Sequence, residues 1–120
     1  SDLVAGFQTA YPSALDRWRT RFDQFKQQSQ KVVIWGSGSK GVAFLNAISD
    51  SAVIDYVVDI HPFRQKTFMA GAGQQIMAPV FLKAYRPDIV IIMNAIYRQE
   101  IKQELMQMGL KPVLMTLDSH

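Results

Sequence analysis

The sequence contains no cysteine. That absence excludes disulfides, a thiolate zinc site and a thiol nucleophile. It fits a reducing compartment, and the cytoplasm is the expected location. No apolar run approaches the roughly 18 residues a membrane span requires, and no signal-peptide pattern is present. No block of basic residues interleaves with aromatics. The net charge is only +3, with the cations spread from Arg17 and Arg21 through Lys40 and Arg64 to Lys102. Nucleic acid and membrane are therefore not expected partners, whereas a bound anion is compatible with this charge. No paired carboxylates, metal-ligand cluster or nucleophile triad stands out, so no catalytic residue is assigned. There is also no internal repeat and no initial methionine, and Ser1 reads as the start of a segment cut from a longer protein or of a processed one.

What is present is a globular composition. Hydrophobic residues make up 48% and charged residues 19% of 120 residues, enough for one domain with a real core. Residues 1–30 read as an N-terminal helical segment. Leu15, Trp18, Phe22 and Phe25 recur at helical spacing over 13–29, Pro12 can sit at the helix start, and Phe7 and Tyr11 extend the stripe upstream. This helix either covers the sheet or connects to a preceding domain.

Residues 31–120 read as a Rossmann-like α/β domain. Lys31–Trp35 and Asp88–Met93 are unbroken apolar runs of the kind found in strands buried on both faces. Ile54–Val58, Gln75–Met77 and Val113–Met115 supply three more strands, and helices are expected over 40–49, from Pro79 to Tyr85 and over 97–108. Strands alternating with helices predict an open parallel sheet of about five strands, in order 3-2-1-4-5, with helices on both faces. Ligands of such sheets bind beyond the carboxyl ends of the strands, where the winding reverses. Here those ends are Gly36–Gly41, Asp59–Pro62 and Met93–Tyr97.

Gly36-Ser37-Gly38-Ser39-Lys40-Gly41 follows a strand and opens a helix, which is the context in which G-x-G-x-x-G binds phosphate. The first glycine permits the turn, the second lets a phosphate approach the backbone, and the third lets helix and strand pack closely. Ser37, Ser39 and Lys40 can add donors to the free amides at the helix start. A glycine turn without a ligand is the alternative. A P-loop is excluded because it ends in Gly-Lys-Ser/Thr and here Gly41 is followed by Val42, and an S-adenosylmethionine turn is disfavoured because Ile34 holds its acidic position. Asp59, eighteen residues beyond Gly41, stands where a dinucleotide fold holds its ribose, or else caps a turn. His61, Asn94 and Tyr97 lie on neighbouring loops. His61 reads more as a hydrogen-bonded loop residue than as a base, and Asn94 equally as a helix cap. Glu100 reads as a solvated face residue.

Three stretches together resemble a known family: Val33–Gly41, Tyr56–Phe63 and Ile92–Ile101, with Phe68–Ile76 similar to the family's aromatic-x-Pro-Gly-Thr loop and following short strand. The chain is similar to the C-terminal domain of S-adenosylmethionine-dependent C-methyltransferases that act on nucleotide-linked deoxysugars. The resemblance implies a zinc-binding region and a catalytic methyltransferase domain upstream, holding the methyl donor, and a C-terminal domain that helps hold the nucleotide sugar. It implies no cofactor in this domain, and substrate contacts from Ser37, Lys40, Asp59, Asn94 and Tyr97. Ala70 and Ala72 depart from the family's proline and threonine, and Lys66 stands where the family often has glycine. The residues alone leave two other readings: an independent module for NAD or coenzyme A, and a ligand-free assembly domain.

Overall fold

A computed structural model describes residues 13–48 and 51–117. Five strands form one sheet in the order β3-β2-β1-β4-β5. They are β1 (Val32–Trp35), β2 (Ile54–Val58), β3 (Gln75–Met77), β4 (Ile89–Ile92) and β5 (Val113–Thr116). Every pairing is parallel, with Val32 opposite Ile89 and Trp35 opposite Ile92 at the centre. The expected strand order and direction are therefore what the chain adopts. The two continuous apolar runs became the adjacent central strands because only a strand covered on both faces can be apolar at every position. All eight residues of β1 and β4 are buried.

Alternation along β1 divides the core. Val32 and Ile34 face a layer made by α1 (Ala14–Gln27) and α2 (Ser39–Ala47). Val33 and Trp35 face the opposite layer, with Leu82 of the short α3 (Leu82–Tyr85) and with Ile101 and Leu105 of α4 (Arg98–Gln107). Helices thus cover both faces.

The stripe of α1 covers the sheet. Trp18, Phe22 and Phe25 are buried, and the Trp18 and Phe44 rings meet edge-on at 5.2 Å between centroids. Such aromatic pairs add about 0.5–1.5 kcal/mol beyond area burial. The Ser13 hydroxyl caps the helix by accepting from the Asp16 N–H at 3.1 Å, so Ser13 marks its start. Pro12, Phe7 and Tyr11 lie outside the described residues. The helix stops at Gln27, two residues short of the expected 29, because Ser29 turns left-handed at φ 53. Helix α2 begins at Ser39 and ends at Ala47, since Ile48 is already extended.

Candidate functional site

Strand β1 delivers the glycine turn to the carboxyl edge of the sheet, and the three glycines of that turn serve different ends. Gly36 bends at φ 122, a conformation side chains disfavour, while its N–H donates to the Val58 carbonyl at 2.8 Å. Gly41 packs so closely that a Cβ there would lie 2.4 Å from the Gly36 carbonyl oxygen. Gly38 is neither bent nor crowded. Its backbone is extended, and a Cβ would touch only Arg64 Nη1, at 3.4 Å. The fold does not need glycine at 38. What the missing side chain leaves is a bare backbone edge at the start of α2. No side chain caps that helix, so its first amides remain available to an anion.

Asp59 ties this turn to the next loop. It is 4% exposed at the end of β2. Its Oδ2 accepts the Ser37 N–H at 2.9 Å and the Ser37 hydroxyl, and Arg64 Nη1 stands 3.5 Å away. Its Oδ1 accepts the His61 N–H at 2.9 Å, and its carbonyl accepts from Gln65 Nε2. Burial alone would raise the carboxyl pKa. The Ser37 hydroxyl, the His61 and Ser37 amides and the Arg64 charge outweigh burial and hold it below the ordinary carboxylate value.

The turn, the loop after β2 and the loop after β4 meet around a cleft of about 500 Å³. Of the ten candidate residues, Gly36, Gly38, Ser39, Lys40, Gly41, Asp59, His61, Asn94 and Tyr97 line it. Ser37 does not: it is 8% exposed and turned onto Asp59, because that buried carboxylate requires donors and Ser37 offers two. The expected ligand contact by the Ser37 side chain is replaced by an internal bond. Asn94 also has a structural partner, its Oδ1 accepting the Ile96 N–H at 3.3 Å as the cap of the turn before α4.

Three charged residues of the cleft were not marked by the motif. Arg64 lies five residues beyond Asp59, in the loop that folds back over the glycine turn. Glu100 and Glu104 line the opposite wall from α4. Glu100, read as solvated, is exposed but faces the cleft. The 68–74 loop contributes nothing to the lining and packs instead on α2, where a Cβ at Gly71 would meet Asn46 Oδ1 at 2.5 Å. Its departures at Ala70 and Ala72 therefore fall away from the cleft. A second groove of about 370 Å³, between α4 and β5, contains none of the candidate residues.

A family model for the C-methyltransferase C-terminal domain matches residues 1–112. The chain belongs to that family. Among solved structures, this C-methyltransferase C-terminal domain is similar to UDP-D-quinovosamine 4-dehydrogenase from Vibrio fischeri. The TM-score is 0.55 at 20% identity, over 72% of this chain and 76% of that one. It is also similar to RSP, a Rex-family repressor, with TM-score 0.54 at 19% identity over 72% of this chain and 52% of that one. The same repressor in complex with β-NADH aligns over 78% of this chain and 58% of that one, with TM-score 0.54 at 18% identity. The domain thus spans about half the length of the repressor. At these identities the likeness establishes a Rossmann-like fold. Among the described residues no helix is long and apolar enough to cross a membrane.

Proposed function

We propose that this domain holds the anionic, nucleotide-linked sugar substrate of an S-adenosylmethionine-dependent C-methyltransferase, at the cleft over Gly38. The observation that carries this reading is the bare turn at Gly38, an opening that packing does not require, flanked by Lys40 and Arg64. Helix α2 adds about 0.3–1 kcal/mol for an anion at its start. Glu100 and Glu104 on the facing wall are acceptors suited to sugar hydroxyls.

The methyl donor does not fit here. The acidic position of its turn is held by Ile34, fully buried at the centre of the sheet. On this reading methyl transfer, S-adenosylmethionine and zinc belong to upstream domains of the enzyme, and this domain binds and orients. Exposed apolar side chains on the two loops beside the cleft, Ile60 and Phe63 on one and Ile96 and Tyr97 on the other, give the catalytic domain a surface to close on.

Calorimetry on this chain tests the reading. Uridine and thymidine diphosphate-sugars should bind saturably, and S-adenosylmethionine should not. Lys40→Ala should weaken sugar-nucleotide binding and flatten its salt dependence. Micromolar affinity for S-adenosylmethionine, or unchanged affinity in both Lys40→Ala and Gly38→Ala, would leave the glycine turn structural and favour an assembly role.

A further inference from the structure

We infer that Arg64 decides which nucleotides the cleft accepts, taking a nucleoside diphosphate by its phosphates while closing Asp59 to the ribose of a nicotinamide dinucleotide. The inference rests on the anion-binding reading of the glycine turn proposed above.

Dinucleotide folds hold the adenosine ribose with a free carboxylate at the end of the second strand. Asp59 occupies that place but is not free. Both of its oxygens accept protein donors, Oδ2 twice from Ser37 and Oδ1 from His61, and the side chain is 5% exposed. What access remains is covered by the Arg64 guanidinium at 3.5 Å. Oδ1 keeps acceptor capacity beyond the His61 bond, so the guanidinium is what stands between a ribose diol and the carboxylate.

Arg64 is held loosely. Its one ion pair is long, its side chain is 48% exposed, and Asp59 is its only side-chain partner among the described residues. With the contact at 3.5 Å and the guanidinium half in solvent, Arg64 can re-aim toward a phosphate that offers a shorter, charge-assisted bond. Nη1 also lies 3.4 Å from where a Cβ of Gly38 would be, directly over the bare turn. Lys40 enters the same space from α2 and has no ion-pair partner among the described residues. Two cations, one from the first turn of α2 and one from the loop after β2, thus line the cleft beside the uncapped amides. A guanidinium can bridge two phosphate oxygens, a geometry Lys40 cannot supply. The same residue therefore attracts a diphosphate and excludes the dinucleotide mode.

The two effects have opposite signs, which a merely structural role would not produce. Calorimetry should use uridine diphosphate and NAD+ with the wild-type chain and with Arg64→Ala, Arg64→Gln, Lys40→Ala and Gly38→Ala, each shown folded by circular dichroism. Wild type should bind uridine diphosphate and not NAD+. Arg64→Ala and Arg64→Gln should raise the uridine diphosphate Kd about 10- to 100-fold, from the loss of a charge-assisted bond, while NAD+ binding appears. If Arg64 variants leave the uridine diphosphate Kd unchanged while Lys40→Ala and Gly38→Ala raise it, the role of Arg64 falls and the anion site stands. Arg64 variants that bind uridine diphosphate more weakly without gaining NAD+ overturn the selectivity claim, as does NAD+ binding by wild type. No uridine diphosphate binding by wild type overturns both readings.

Discussion

Ser37 donates twice to the same oxygen of Asp59, through its backbone N–H at 2.9 Å and through its hydroxyl. This joint locks the glycine turn after β1 to the end of β2, and His61 and Arg64 attach the following loop to the same carboxylate. The cleft is shaped by a side chain that spends its hydrogen-bonding capacity inside the protein.

Strong acid should loosen that joint. The native pKa of Asp59 lies below its ordinary value of 3.8, so its contribution to stability is fully present above that value and is lost as pH falls through the native one. Urea unfolding followed from about pH 6 to about pH 2 should show an acid-side loss that Asp59→Asn reduces. Asp59→Ala should cost about 2–4 kcal/mol at neutral pH, because it strands the buried Ser37 donors and removes the partner of the part-buried His61 N–H. An acid limb identical in Asp59→Asn and wild type would remove the carboxylate from this role.

Tyr85 governs the alkaline side. Burial, then the nearby Asp55 charge and the long bond from the Tyr85 hydroxyl to Asp55 Oδ2 at 3.4 Å, push its phenol up to about 12. A phenol with a raised native pKa contributes stability that is intact below about 10 and is lost as pH rises toward about 12. Ultraviolet titration should show Tyr85 ionising late, and Tyr85→Phe should remove that late step. A late step that survives the substitution would assign it elsewhere.

Much of this architecture was legible because its physical causes are local. Val32–Trp35 and Ile89–Ile92 are apolar at every position, which only a doubly covered strand tolerates, and the glycine spacing placed the turn. The cleft was legible through the three loops at the strand ends, which nine of the ten candidate residues line. Its charged walls were not. Arg64 was one scattered cation among thirteen basic residues until the loop after Asp59 folded it over Gly38. Glu100 and Glu104 share a helix face with polar neighbours, and nothing in that spacing says which polar face meets another loop. The inward turn of Ser37 follows from the burial of Asp59, a tertiary fact without a sequence signature. The one available signal for Arg64 was its position just beyond the acid at a strand's carboxyl end.

Lys66 sits at φ 67, and its N–H donates to the Ile76 carbonyl at 2.6 Å. The left-handed backbone there is strained for lysine and free for glycine. Lys66→Gly should therefore leave the domain as stable or stabilise it by up to about 1 kcal/mol, despite the greater freedom of glycine in the unfolded chain. Chemical denaturation midpoints test this. A clear loss of stability would mean that the lysine side chain contributes more than the strain it carries.

Gly41 and Gly38 should respond in opposite ways to a side chain. At Gly41 a Cβ would stand 2.4 Å from the Gly36 carbonyl, a backbone atom that cannot rotate away, so Gly41→Ala should cost about 1–3 kcal/mol or more. At Gly38 the only neighbour is the movable end of Arg64, and the backbone already has the extended conformation of a helix N-cap. A serine there can cap the amides of α2 that are now uncapped, so Gly38→Ser should stabilise the domain by a few tenths of a kcal/mol. That hydroxyl would occupy the amides offered to an anion, so the same substitution should weaken uridine diphosphate binding. Thermal unfolding and calorimetry on one preparation decide the matter. Higher stability with lower affinity marks Gly38 as open for the ligand's sake, whereas higher stability with unchanged affinity places the phosphates elsewhere in the cleft.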